Sequence, residues 1–319
     1  MNLYPLSLKI QNIQTPALNV RLFTLVNVEG NALPPFEAGA HIEMMLPNGL
    51  PRSYSLLNNP GQNGFYQIAV HLSPSTAGGS RYLHEEVAEG DILPCSEPRN
   101  HFPLQLEAEN TCLIAGGIGI TPLKAMAHQL SALGKPWQLH YCARTPEHAA
   151  FVEELQDLAS NNGSQLHCYF DGVPGGQSLN INDLITGSSV DTHFYCCGPN
   201  SMLQAYEEAT SCCRERAHME YFSAKSEAAL EGGYEVELAC SGLVLSVPSG
   251  KSILDVVMSA GVNVPTSCRE GICGSCETRI IQGEADHRDA VLTPEEQQEN
   301  TSMMICCSGA KSARLVLDL

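Results

Sequence analysis

Apolar and polar residues alternate over short stretches through the first hundred positions: LSLKIQNI from Leu6, VRLFTLVNV from Val20, HIEMMLP from His41 and YQIAVHL from Tyr66. Each stretch is broken by Gly, Pro or Asn. A period of two puts successive side chains on opposite faces of a strand, so many such segments in a row predict an antiparallel β-barrel over residues 1–106. The first helical pattern in this region is SRYLHEEV from Ser80. Over 107–224 the pattern changes to strands alternating with helices, as in TCLIAGG, TPLKAMAHQLSAL, QLHYCAR and HAAFVEELQDLA, which predicts an α/β domain with a parallel sheet. Residues 225–233 carry no periodicity and end in two glycines, the signature of a linker. From Tyr234 to Leu319 come a strand pair, a short helix (SILDVVMSAG), a cysteine-rich loop and further short strands, a small α+β domain. The chain is therefore expected to be multidomain.

Composition narrows the class. The 319 residues suffice for two or three domains and the 43% hydrophobic fraction gives each a core. No apolar run nears the roughly 18–20 residues that span a bilayer, and MNLYPLSLKIQNIQ lacks a basic segment followed by an apolar one. A soluble, cytoplasmic protein is expected, with no membrane partner. Most of the 14 cysteines, such as Cys112 and Cys142, sit in apolar strand-like runs and read as buried thiols of a reducing compartment. A net charge of −18 argues against nucleic acid and suits docking to a basic protein surface.

The most specific chemical signal is PTSCREGICGSCE. Cys268, Cys273 and Cys276 are spaced C-x4-C-x2-C and Cys306 follows after 29 residues, the plant-type [2Fe-2S] ligand spacing. Gly271 and Gly274 let the loop curl with positive φ and aim its N–H groups at the sulfurs. A structural zinc site is the alternative, but such sites usually pair two C-x2-4-C knuckles, and one is present here. Cys307 adjoins Cys306 and competes for the fourth position; the spacing favours Cys306.

Weaker signals lie upstream. In Arg52-Ser53-Tyr54-Ser55 a period of two places Arg52 and Tyr54 on one side, a cation for a phosphate and a ring for a planar ligand. Gly78-Gly79-Ser80 is a glycine turn opening a helix, a second candidate for a phosphate. Gly116-Gly117-Ile118-Gly119-Ile120-Thr121-Pro122 follows the first strand of the α/β region, with Pro122 read as the start of its helix, and Cys197-Gly198-Pro199 follows a later strand. Two small-residue strand ends over one crevice suit a dinucleotide.

With these residues in place the chain resembles the phthalate dioxygenase reductase and vanillate demethylase reductase family. The resemblance also runs through GGSRYLH, Pro98-Arg99-Asn100, Glu220-x-Phe222, EADHRD and LVLDL. It implies a flavin barrel, a nicotinamide domain and a ferredoxin-like (β-grasp) domain, and an enzyme passing electrons from NADH through FMN and [2Fe-2S] to a Rieske-type oxygenase that docks transiently near the cluster. It implies that Arg52 and Gly78, Gly79 and Ser80 hold the FMN phosphate, that Tyr54 and Ser55, with Ser53 beside them, line the isoalloxazine, and that Ala69, Val70 and His71 run beneath it. Thr121 would sit near the flavin N5 edge, Phe222 over the ring, and Cys197 and Glu220 beside the nicotinamide, with Gly116, Gly117, Gly119, Gly198 and Pro199 along the nucleotide. Arg144 ends the second strand of the α/β region, where it could read a 2′-phosphate or contact the pyrophosphate or adenine; the resemblance favours NADH. A monomer is expected. In the family ending C-x-S-R-A, Gly309 replaces the usual arginine. Two other readings stay open: a reductase for a different acceptor, and a non-enzymatic iron–sulfur carrier.

Overall fold

The computed structural model describes residues 4–73 and 78–319 and divides into two compact units, Met1–Glu220 and Tyr221–Leu319. The start of the N-terminal stretch read above as lacking a leader, residues 1–3, lies outside the described residues.

The first unit opens with seven antiparallel strands: β1 (Leu6–Ala17), β2 (Val20–Asn27), β3 (Ala40–Met45), β4 (Pro51–Ser55), β5 (Tyr66–His71), β6 (Ile92–Cys95) and β7 (Arg99–Asn100). They pair in the order β4-β3-β6-β1-β2-β5, with β7 on β3. The chain leaving β4 closes this sheet on β5, where Leu57 N–H donates to the Gln67 carbonyl (3.0 Å) and Asn58 Nδ2 to the Phe65 carbonyl (3.2 Å). The alternation seen in the sequence sends Leu8, Ile10, Phe23, Leu25, Ile42 and Met44 into one core, each contributing about 1.5–3 kcal/mol by burial. Helix α1 (Gly79–Glu85) lies on this barrel through Leu83.

The same unit continues with a parallel sheet of β8 (Asn110–Gly116), β9 (Trp137–Ala143), β10 (Gln165–Phe170), β11 (Thr192–Cys197) and β12 (Ala217–Glu220), ordered β10-β9-β8-β11-β12. Helices α2 (Ile120–Ala132), α3 (Val152–Asn162), α4 (Ile181–Gly187) and α5 (Asn200–Ala209) connect its strands. Strand order reverses between β8 and β11, which opens a crevice at their carboxyl ends. Helix α2 starts at Ile120, two residues before the expected Pro122. Proline fits there because first-turn N–H groups lack intrahelical acceptors anyway. Barrel and sheet are fastened by Phe151, held at φ 65° and packed among Leu22, Leu57, Ala69 and Ile118. Beside it the buried Lys124 ammonium meets Glu154 Oε1 at 2.7 Å and the Leu57 carbonyl at 3.5 Å.

The second unit contains β13 (Tyr234–Leu238), β14 (Leu243–Val247), α6 (Ile253–Ser259), β15 (Glu277–Gln282), β16 (Ala285–Asp286), α7 (Pro294–Glu299), β17 (Ser302–Met304), β18 (Gly309–Ala310) and β19 (Arg314–Leu317). Its main sheet runs β14-β13-β19-β15-β17, parallel only between β13 and β19, and β16 pairs with β18. Helix α6, started by a Ser252–Asp255 capping box, buries Ile253, Leu254 and Val257 in the core that holds Val236, Leu238, Leu315 and Leu317. This is the expected β-grasp arrangement. The boundary at Glu220 falls earlier than the expected 224, and 225–233 is no loose linker. Ser226 Oγ donates to the Arg288 carbonyl (2.9 Å), Ala229 N–H to the Cys307 carbonyl (2.8 Å), and the Leu230 carbonyl accepts from Gly250 N–H (2.8 Å). The segment is tied down by these hydrogen bonds and by the small side chains of Ala228 and Ala229, which leave no hydrophobic period in the sequence.

Candidate functional site

Strand β4 and the turn before α1 meet as the sequence suggested. A Cβ on Gly79 would fall 2.7 Å from Arg52 Nε, so only glycine lets the guanidinium lie along this turn, and Gly78 holds φ 98°. A cation beside the opening turn of α1 fits a phosphate group. Tyr54 packs against the barrel core, and burial pushes its hydroxyl above the ordinary tyrosine range. Ser53 is exposed on the other side of the strand, opposite Glu43, so it does not share the Arg52–Tyr54 face. In β5, the Val70 side chain points into the barrel core, which leaves only its backbone to a ligand, whereas Ala69 packs beside Leu57 and Ile118. His71 is half-buried; burial, then His84, His148 and Arg144 nearby, hold its pKa below the ordinary value.

Three strand ends converge on one carboxylate. Glu220 at the end of β12 hydrogen-bonds Ser55 of β4, and Cys197 of β11 is its register partner. The residue as a whole is half-buried, but its Oε2 is closed to solvent and has no hydrogen-bond partner. Burial pushes the carboxyl up to about 8, with the Ser55 hydroxyl opposing, and lifts the fully buried Cys197 thiol well above its usual range. A carboxyl oxygen sealed without a partner disfavours the charged form. The sequence offered no sign that Ser55 and Glu220 touch.

The glycine turns serve each other as much as any ligand. A Cβ on Gly116 would fall 2.6 Å from Pro199 Cδ and 3.1 Å from Gly198 Cα, and one on Gly119 would fall 2.2 Å from the Cys197 carbonyl oxygen. The β8 and β11 turns thus interlock at the crevice. Gly117, at φ 54°, has open space where a Cβ would be, and leaves backbone available to a nucleotide. Thr121 is buried and its Oγ1 donates back to the Ile118 carbonyl (3.0 Å), which bends this turn. Arg144 is exposed beyond β9, its carbonyl accepting Gly172 N–H at 2.8 Å. Phe222 belongs to the C-terminal unit and is 38% exposed.

In that unit the cysteines fall into two groups. Cys268 and Cys273 hydrogen-bond each other in the loop before β15, and Cys306, in the turn after β17, bonds both Cys276 and its neighbour Cys307. Hydrogen bonds from these partners hold Cys273 and Cys306 below the ordinary thiol range and lift Cys268 and Cys276 above it. The Cys273 sulfur also accepts Cys268 N–H at 3.5 Å, and the Cys268 sulfur accepts Glu270 N–H at 3.3 Å. This arrangement can offer two protein sulfurs, Cys268 with Cys273 and Cys276 with Cys306, to each of two irons. Cys307 bonds Cys306 but not Cys276: its sulfur also reaches the Met304 carbonyl (3.7 Å) and would stand 2.4 Å from a Cβ on Gly271. Gly309 is closed over by Ala229, whose Cβ would be 2.9 Å from a Cβ there, so the arginine usual at this position has no room.

Two family models match, a 2Fe-2S iron-sulfur cluster binding domain over residues 236–311 and an oxidoreductase NAD-binding domain over 113–208. Phenoxybenzoate dioxygenase subunit beta of Ectopseudomonas oleovorans is 45% identical, with 99% of this chain and 98% of that protein covered. A vanillate O-demethylase oxidoreductase of Pseudomonas sp. (strain HR199 / DSM 7063) is 42% identical (97% and 98% covered), and a tetrachlorobenzoquinone reductase of Sphingobium chlorophenolicum is 41% identical (98% and 98%). The solved structure of a phthalate dioxygenase reductase, described as a modular structure for electron transfer from pyridine nucleotides to [2Fe-2S], superposes with a TM-score of 0.74 at 40% identity over 98% of both chains. With the thiol pairs, the interlocked strand ends and these full-length likenesses together, the chain belongs to the phthalate dioxygenase reductase and vanillate O-demethylase reductase family.

Proposed function

We propose that this protein is the NADH-dependent reductase component of a two-component Rieske-type oxygenase, with FMN and a [2Fe-2S] cluster as its resident cofactors. The observation that carries this reading is that Cys268 bonds Cys273 and Cys276 bonds Cys306 at the plant-type ligand spacing, in a chain that also carries the Arg52–Gly79 contact and the β8–β11 crevice. Those four cysteines would ligate the cluster. Arg52 and the Gly78–Ser80 turn would hold the FMN phosphate, Tyr54 and Ala69 would border the ring, and Gly117 with the Gly198–Pro199 turn would take the dinucleotide. Bound, the flavin supplies acceptance of an electron pair as hydride and release of single electrons, and the cluster supplies a one-electron relay. The residues here need no general acid or base for hydride transfer itself; the buried Ser55 and Cys197 with Glu220 would border it on the side away from water.

The oxygenase partner would dock transiently and electrostatically to this acidic monomer near the cluster, in the cytoplasm. Among the described residues no helix is long and apolar enough to cross a membrane. A second reading, a reductase delivering electrons to a quinone, is favoured by the 41% identity to the tetrachlorobenzoquinone reductase. Anaerobic titration with NADH, followed by absorption and electron paramagnetic resonance, tests the class: bleaching of flavin bands followed by a reduced [2Fe-2S] signal is expected. A protein with iron–sulfur bands but no flavin, or one that NADH leaves oxidised, would defeat it. Reoxidation by purified oxygenase compared with a substituted quinone separates the two acceptors.

A further inference from the structure

Asp289, in the EADHRD segment, has no role in what precedes, and its side chain is fully buried. It stands where the two cysteine-bearing segments come together. From the first segment comes Gly271, at φ 69° within the Cys268–Cys276 loop: its carbonyl accepts Ala290 N–H at 2.9 Å, and a Cβ there would fall 3.1 Å from Asp289 Cα. From the second comes Ser308, two residues past Cys306, whose hydroxyl lies 3.5 Å from Asp289 Oδ1 and itself accepts Arg288 N–H at 3.1 Å. The other oxygen, Oδ2, accepts the N–H groups of Val291 (3.1 Å) and Leu292 (2.8 Å). Opposite Oδ1, at 3.8 Å, is Nδ1 of His287, a buried imidazole neither of whose nitrogens has a hydrogen-bond partner. Burial alone would raise the Asp289 carboxyl, but His287 and the backbone donors outweigh it and hold the group below the ordinary aspartate range. It is a buried anion.

A turn does not require that anion. One oxygen suffices to cap Val291 and Leu292, and asparagine would serve. The second oxygen is the one directed at Ser308 and His287. We propose that Asp289 is a positioning residue for the [2Fe-2S] centre, joining the Gly271 turn to the Ser308 turn and lowering the centre's reduction potential by its fixed charge. The inference rests on the ligand assignment under Proposed function. One-electron reduction adds negative charge to the centre, and a carboxylate shielded from water and salt opposes that addition more strongly than an exposed one.

The test uses the full-length holoprotein. Cluster and flavin midpoint potentials are measured by optical and paramagnetic redox titration in wild type, Asp289→Asn and Asp289→Ser, with iron and acid-labile sulfide counted in each. Both variants remove the charge while keeping an oxygen for the Val291 and Leu292 N–H groups, and both are expected to raise the cluster potential with the flavin potentials unchanged. The flavin-to-cluster equilibrium should move roughly three- to tenfold toward the cluster in Asp289→Asn, tenfold being about 59 mV for one electron. A fully loaded Asp289→Asn protein with an unchanged or lower cluster potential overturns the proposal. Should that variant fail to hold its cluster, Asp289→Ser decides, and an unchanged or lowered potential there is equally fatal. Absence of any [2Fe-2S] signal from the wild type would instead defeat the ligand assignment.

Discussion

Glu220→Gln should make the N-terminal unit more stable, by an amount that depends on pH in a fixed way. The native carboxyl lies at about 8 against 4.5 for an ordinary glutamate, so the folded chain holds this proton more tightly than the unfolded chain does. Its stabilising contribution is fully present below pH 4.5 and is lost as pH rises through 8. Between those limits wild-type stability should fall relative to the glutamine variant by about 1.4 kcal/mol per pH unit. The gap would reach roughly 3 kcal/mol at pH 7 and about 5 kcal/mol above pH 8, where it levels off. Glutamine keeps a partner for Ser55 and carries no charge to bury. The chain's one tryptophan, Trp137, is buried in β9 of the same unit, so urea unfolding followed by its fluorescence reads this effect without the C-terminal unit. Stability curves for the two proteins that run parallel from pH 5 to pH 9 would refute the reasoning and mean that the carboxylate is ionised and solvated in the native state.

Three further outcomes are expected. Cys306→Ser should lose the [2Fe-2S] paramagnetic signal and Cys307→Ser keep it, since Cys306 is the thiol that bonds Cys276, while Cys307 reaches only Cys306 and lies against Gly271; the opposite pattern would reverse the ligand assignment. Arg52→Ala should weaken FMN retention by about 1.5–3 kcal/mol, roughly 10- to 150-fold in Kd by equilibrium dialysis, with acid-released flavin running as FMN. Steady-state rates with an artificial acceptor should show kcat/KM about tenfold or more higher for NADH than for NADPH, because Arg144 is exposed with Glu147 close behind it in the sequence. Equal efficiencies would mean that Arg144 reads the 2′-phosphate.

The elements legible in the sequence were those with a period. The barrel strands, the βα alternation and the cysteine loop could be placed from spacing, because one buried face or one metal centre imposes a repeat. Contacts made by topology could not. Ser55 and Glu220 lie far apart in the chain and touch only because β4 and β12 both end at the crevice. Alternation did place Arg52 with Tyr54, and it also sends the Val70 side chain into the core between Ala69 and His71, because a strand inverts every residue. The glycines of GGIGITP and CGP were read as room for a ligand, and two of them turn out to be room for each other. Lys124 gave no signal at all, since a lysine on a helix usually reaches solvent, whereas here it turns inward to Glu154 and Leu57.

The backbone strap from Ser226 to Leu230 determines where this protein can be cut and spliced. A recombinant ferredoxin module begun at Tyr234, the first residue of regular structure, would leave the Cys307 carbonyl without its donor and Gly309 without its cover. A junction at Tyr221 carries the strap along, and chimeras that exchange the iron–sulfur module between reductases should be joined there. For the same reason the two glycines at 232 and 233, which look like a hinge, belong inside the module.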